Sequence, residues 1–150
     1  MAIPDATGST IPQDETLQGE GKDCRCRLTT ADRLQIERFL SFAGNSSVVY
    51  SQRMLDLLNR KLQAAVAIEG AAPPDVASFG RYISCVVDET ETESGVLSFG
   101  LVARAGEIPV HTLLGATLIG LTVGQRTRLQ SEDGTSRSLL LTQVGAPLAV

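Results

Sequence analysis

The run Ala71-Ala72-Pro73-Pro74 limits what this chain can fold into more than any other feature. Proline has no backbone donor and pushes the residue before it out of the helical region, so no helix crosses two in succession. Before this break, apolar residues recur at helical spacing; after it, they alternate. A helical unit and a sheet unit therefore meet at a short extended linker.

In the helical unit, Ile36, Phe39, Leu40 and Ala43 form one apolar face. Thr29 or Thr30 serves as N-cap, and Asp32 puts negative charge in the first turn. Gly44-Asn45 supplies a left-handed stop. Ser46 or Ser47 caps a second helix that runs to about Glu69. Leu55, Leu58, Leu62, Ala65 and Val66 make its stripe, widened by Met54 and Leu57. Arg53, Arg60 and Lys61 are expected in solvent. Two amphipathic helices joined by a tight turn pack as antiparallel neighbours.

Beyond Pro74 the period is two. Ile83, Cys85 and Val87 alternate with Tyr82, Ser84 and Val86, which predicts a strand. Glu89 to Glu93, ending in Ser94-Gly95, reads as a solvated hairpin loop rather than a cation site. Leu97, Phe99 and Leu101 mark a second strand. A short helix follows around Leu113–Leu121, punctuated by Gly115 and Gly120. Thr127 and Leu129 mark a third strand, Asp133-Gly134 a hairpin turn, and Ser138 to Val144 the last strand. The fold class is α+β: an antiparallel helical hairpin over 28–72, then an antiparallel sheet with one short helix over 75–147.

Composition narrows the function classes. Aromatics are 4% with no Trp, so the core is aliphatic. A net charge of -4 and a pI near 5.0 make the chain a poor candidate for holding duplex DNA by neutralising phosphates. No apolar run approaches the roughly 18 residues of a membrane span. The start has acids and prolines where a signal peptide has a basic and then an apolar region, so a cytoplasmic protein is expected. Residues 1–27, with Pro4, Gly8, Pro12, Gly19 and Gly21, are expected to form a flexible tail. Cys24, Cys26 and Cys85 make no disulfide framework. Cys24-Arg25-Cys26 has the wrong spacing for a zinc knuckle, and His111 is the one histidine. Two thiols in the tail and one buried strand cysteine are expected. There is no P-loop or dinucleotide fingerprint, so no cofactor or metal is expected.

The segments Leu28-Thr-Thr-Ala-Asp-Arg-Leu-Gln-Ile-Glu-Arg-Phe-Leu40, Asp75-Val-Ala-Ser-Phe-Gly-Arg-Tyr-Ile83 and Leu114-Gly-Ala-Thr-Leu-Ile-Gly-Leu-Thr-Val-Gly124 suggest a family. Residues 28–145 resemble the regulator of nucleoside diphosphate kinase (Rnk) branch of the GreA/GreB transcription elongation factors. The resemblance implies a short coiled coil followed by an FKBP-like domain that docks on RNA polymerase at the mouth of its secondary channel. In the wider family the loop before the short helix helps make that contact. The matching positions here are His111, Thr112 and Leu113, with Gly115 in the first turn of the helix. Thr112 keeps the family's hydroxyl; His111 and Leu113 replace an acid and a proline.

Cleavage-stimulating members of that family present acids that help hold a catalytic metal, which needs carboxylate oxygens. The hairpin tip here, Gly44, Asn45, Ser46 and Ser47, has none. Glu37 and Asp56 are the nearest acids, on the order of 10 Å back along the helices, on an arm of about 21 Å. The expected function is therefore a non-enzymatic polymerase-binding regulator that modulates access of other secondary-channel factors. Two alternatives stay open. One is an interaction module with a different protein partner. The other is a prolyl isomerase, for which Phe79, Tyr82 and Phe99 are the available aromatics. His111 has no nucleophile that the sequence pairs with it.

Overall fold

A computed structural model describes residues 26–100 and 104–147. The expected tail up to Arg25, with Cys24, lies outside them, as does Leu101 of the second strand.

The described chain begins with β1 (Arg27–Thr29) and enters α1 (Thr30–Gly44). Thr29 keeps extended backbone while its side chain accepts from the Asp32 amide at 2.9 Å, so it is the N-cap. α1 stops where the Asn45 amide turns back to the Phe42 and Ala43 carbonyls. α2 (Gln52–Ala64) is capped by Ser51, whose hydroxyl accepts from the Met54 amide at 3.2 Å. Ser46 and Ser47 lie too early for that role. Ser46 Oγ accepts instead from the Val48 amide within the connection.

The second helix ends at Ala64, short of Glu69. Ala65 turns extended, and Val66–Ile68 becomes β2, paired in parallel with β1. β-Branched Val66 and Ile68 favour that pairing over another helical turn. The helices are thus of similar length, at 15 and 13 residues. Arg33, near the start of α1, donates to the Leu62 carbonyl near the end of α2 at 3.0 Å.

The sheet has five strands rather than four: β3 (Arg81–Val87), β4 (Glu91–Ser98), β5 (Glu107–Pro109), β6 (Arg126–Gln130) and β7 (Ser136–Pro147). Their order is β5-β4-β3-β7-β6, antiparallel except for the β4–β5 pair. α3 (Leu113–Leu118) follows β5. The acidic run is mostly strand. Its turn is confined to Asp88–Thr90, with Asp88 and Glu89 at φ 54° and 66°. Glu91 and Glu93 stand exposed on β4, and Glu91 meets Arg137 at 3.3 Å. At the β6–β7 turn, the Thr135 amide and hydroxyl donate to the Asp133 carboxylate and hold it below the usual carboxylate range.

One face of the sheet builds the core. Ile83, Cys85 and Val87 on β3, Leu97 on β4, and Leu139 and Leu141 on β7 pack with Ile36 and Phe39 of α1, Met54 and Leu58 of α2, and Leu118 of α3. Each fully buried aliphatic side chain contributes about 1.5–3 kcal/mol. Burial, with the charge of Glu93 added, pushes the Cys85 thiol up and keeps it protonated. Cys26 belongs to the fold and not to a tail: it is fully buried, with Sγ 3.6 Å from the Ile119 carbonyl.

The proline linker is stitched down. Val76 bridges Thr122, the Ala77 amide donates to the Leu121 carbonyl, and the Gly120 amide returns to the Ala77 carbonyl. Buried Arg81 donates to the carbonyls of Ala72 at 2.7 Å, Val76 at 3.1 Å, and Pro73. A side chain with five fixed donors suits a stretch whose prolines leave carbonyls without ladder partners.

Candidate functional site

The loop from Pro109 to Gly115 holds the positions at which the family resemblance implies a partner contact. β5 delivers the chain to it, and the Val110 amide donates to the Ser98 carbonyl at 2.7 Å. Thr112 then does two jobs. Its hydroxyl donates to the Pro109 carbonyl at 2.7 Å and accepts from the Gly115 amide at 3.1 Å. It is the N-cap of α3, and it ties the helix start to the strand end. Gly115 is buried against that strand end, so its surface is not open to a partner. Leu113 and Leu114 are half-buried against the core.

His111 is the joint of the site. Its Nε2 lies 2.9 Å from the Gly100 carbonyl. Its ring stacks on Phe39 of α1 at 5.9 Å, with planes 27° apart, and meets Tyr50 edge-on at 6.3 Å. Phe39 and Tyr50 are themselves T-shaped at 5.1 Å. Such ring pairs contribute about 0.5–1.5 kcal/mol beyond their buried area. His111 therefore spends one ring face on the helices; the half-exposed remainder of His111, Thr112 and Leu113 is what a partner can reach.

Gly44, Asn45 and Ser47 are exposed, and Ser46 is half-buried. Asn45 Nδ2 donates back to the Ser41 carbonyl at 3.0 Å. The connection continues through Val48 and Val49, which are 55% and 94% exposed. From Arg38 to Leu55 there is no carboxylate. Tyr50, at the end of this connection, brings it to the loop through His111.

Sequence reasoning missed two charged residues that set how helices and sheet sit together. Asp32 is 1% exposed; its carboxylate accepts from Ser78 Oγ at 2.8 Å and from the Phe79 amide at 3.2 Å. It is more than a first-turn charge, since it clamps α1 to the segment leading into β3. Lys61 is buried rather than solvated, with Nζ 2.7 Å from the Thr117 carbonyl and 2.6 Å from the Ile119 carbonyl. The signal was present for Lys61. It stands three residues after Leu58 and seven after Met54, on the line that is buried. We expect Asp32→Ala to destabilise the protein by about 2 kcal/mol, because two donors lose a charged acceptor. Urea unfolding checks this, and an unchanged midpoint would remove Asp32 from the account.

Among the described residues, no three His, Cys, Asp or Glu side chains gather where they could hold a metal ion. No helix there is long and apolar enough to cross a membrane.

No protein-family model matches the chain, and no curated protein matches it. Solved structures do. The prokaryotic transcription elongation factor GreA/GreB from Nitrosomonas europaea is 17% identical, with a TM-score of 0.60 over 81% of this chain and 99% of that one. The GreA factor homolog 1 (Gfh1) of Thermus thermophilus covers the same shares at 17% identity, with a TM-score of 0.40. The chain thus shares its fold, over nearly the full length of that protein, with the Nitrosomonas GreA/GreB factor.

Proposed function

We propose that this protein is a non-enzymatic transcription regulator of the Gre type that docks on RNA polymerase near the secondary channel. The observation that carries the reading is the shared fold with a GreA/GreB elongation factor across 99% of that chain. The finer assignment is to the Rnk branch, whose helix pair is a short coiled coil and whose sheet unit is FKBP-like. It rests on the three sequence segments quoted above.

The chemistry of the helix connection separates docking from transcript cleavage. Stimulating cleavage requires carboxylates brought to a metal. Residues 38 to 55 supply none, and Val48 and Val49 put an exposed apolar pair on an otherwise mostly polar, uncharged connection. At 1.5 Å per residue, α1 reaches only about 22 Å from its start. A factor of this shape acts by occupancy: it competes for the channel mouth with factors that reach further.

Two measurements test the reading. Core RNA polymerase is expected to retain the protein at micromolar concentration, and stalled elongation complexes given the protein are expected to cleave their transcripts no faster than without it. Thr112→Ser, which keeps the cap, is expected to bind like the wild type, and Leu113→Asp to bind at least tenfold more weakly. Absence of retention at micromolar protein overturns the assignment. Stimulated cleavage overturns the mechanism while leaving the docking. A peptide-isomerisation assay with turnover would move the protein to the enzyme class.

A further inference from the structure

Between α1 and Phe99 lies an open cleft of about 180 Å³, lined by Gln35, Arg38, Phe39, Phe42 and Phe99. Three phenylalanines form its walls, and an arginine and a glutamine supply the polar rim. Phe42 is 44% exposed, and Phe99 extends the apolar surface through its contact with Phe79 at 5.3 Å. Phe79 is itself 43% exposed, in a chain with few aromatics. Exposed aromatic surface beside an arginine is the composition of protein-binding hot spots.

The volume argues against a small molecule, since ligand pockets run to about 300–1,000 Å³. It suits one or two side chains. Charge narrows the occupant. Arg38 is exposed, and the ion pairs among the described residues are Arg126 with Glu89 and Arg137 with Glu91, so no carboxylate of the described fold neutralises it. Glu37, its neighbour in sequence, points to another side of the helix. A cation with no ion pair among the described residues, lining a cleft with three phenylalanines, is matched by an acid next to an apolar side chain.

The cleft also continues the candidate site. Phe39 forms one wall and, on its ring face, carries His111. Phe39 is buried beneath both, and His111 reaches the Gly100 carbonyl next to cleft residue Phe99, so the loop and the cleft adjoin. We propose that this cleft receives an aliphatic side chain flanked by a carboxylate from the protein partner. The inference rests on the polymerase-docking reading and names the chemistry that the polymerase must present.

The test titrates labelled core RNA polymerase with wild-type protein and with Phe42→Asp, Arg38→Glu, Arg38→Lys and Val123→Asp. The first three change exposed cleft residues. Val123 is 38% exposed outside the cleft and serves as control. Thermal melts verify that each variant folds. Phe42→Asp and Arg38→Glu are each expected to weaken binding at least tenfold, Arg38→Lys to weaken it less, and Val123→Asp to leave it unchanged. If the wild type binds and both cleft variants bind equally well, the inference is wrong and the docking reading stands. If the wild type itself does not bind, the docking reading falls and takes the inference with it. A wild-type dimer that Phe42→Asp converts to monomer gives the cleft to a second copy and also overturns the proposal.

Discussion

Gly115→Ala is expected to destabilise the protein by about 4 kcal/mol, beyond the usual 1–3 kcal/mol of an overpacked core. A β-carbon at this position would stand 2.0 Å from the Pro109 carbonyl oxygen, 2.6 Å from its carbon and 2.8 Å from Val110 Cα. All three are backbone atoms, so no rotamer change relieves the contact. The first turn of α3 would have to lift off the end of β5. That movement breaks the two hydrogen bonds of the Thr112 hydroxyl, which accepts from the Gly115 amide and donates to the Pro109 carbonyl. It also shifts Leu118, a fully buried side chain of the shared core. For a chain of this length the loss corresponds to a fall in Tm of roughly 8–16 °C. A melting curve within 2 °C of the wild type would show that α3 is not seated against β5 as described. Gly115 is thus a packing residue inside the candidate site, and its loss would disorganise the contact loop without removing a contact.

Lys61→Met is expected to cost about 3 kcal/mol. The substitution keeps the length and apolar stem of the side chain and deletes only the ammonium, so the change isolates the polar interaction. In the native protein Nζ sits at the C-terminal end of α3, where helix carbonyls carry partial negative charge. Removing it leaves the Thr117 and Ile119 carbonyls without that donor, and a stranded buried acceptor costs about 1–3 kcal/mol. The Cys26 thiol offers Ile119 only a weak bond at 3.6 Å. Lys61→Arg should not restore stability, because a planar fork does not fit a space shaped for one compact donor. Urea unfolding with an unchanged slope measures the effect. A difference under about 0.5 kcal/mol would mean that the ammonium does not hold α2 to α3.

These two residues show where sequence reading succeeds and where it stops. Local sequence located α1 and the alternation of β3 and narrowed the N-cap to Thr29 or Thr30, because each depends on residues close in the chain; the structure selects Thr29. The break at Pro73 and Pro74 was legible for the same reason. Lys61 was misjudged because its residue type outweighed its position: a long charged side chain can be buried when carbonyls from another helix wait for it. Asp32 was placed correctly on its helix, but its partners at Ser78 and Phe79 are more than 40 residues away, and periodicity carries no such information. The end of α2 failed similarly. Ala65 and Val66 fit the helical stripe, and the pairing of Val66–Ile68 with Arg27–Thr29 lies too far off in sequence for that periodicity to register. The loop at His111–Leu113 was found, yet its stacking on Phe39 and Tyr50 depends on how the helices lie down on the sheet.

The pairing of Arg27–Thr29 with Val66–Ile68 makes the helical excursion leave and return through one doorway. Everything between those short strands is a closed detour whose base is fixed independently of its extent. Extending such a detour adds closure entropy only logarithmically, about 0.6 kcal/mol for each doubling. The same threshold could therefore carry a longer spoke, with acids at its far end, so long as its first turns kept Ile36, Phe39, Met54 and Leu58 seated on the hub.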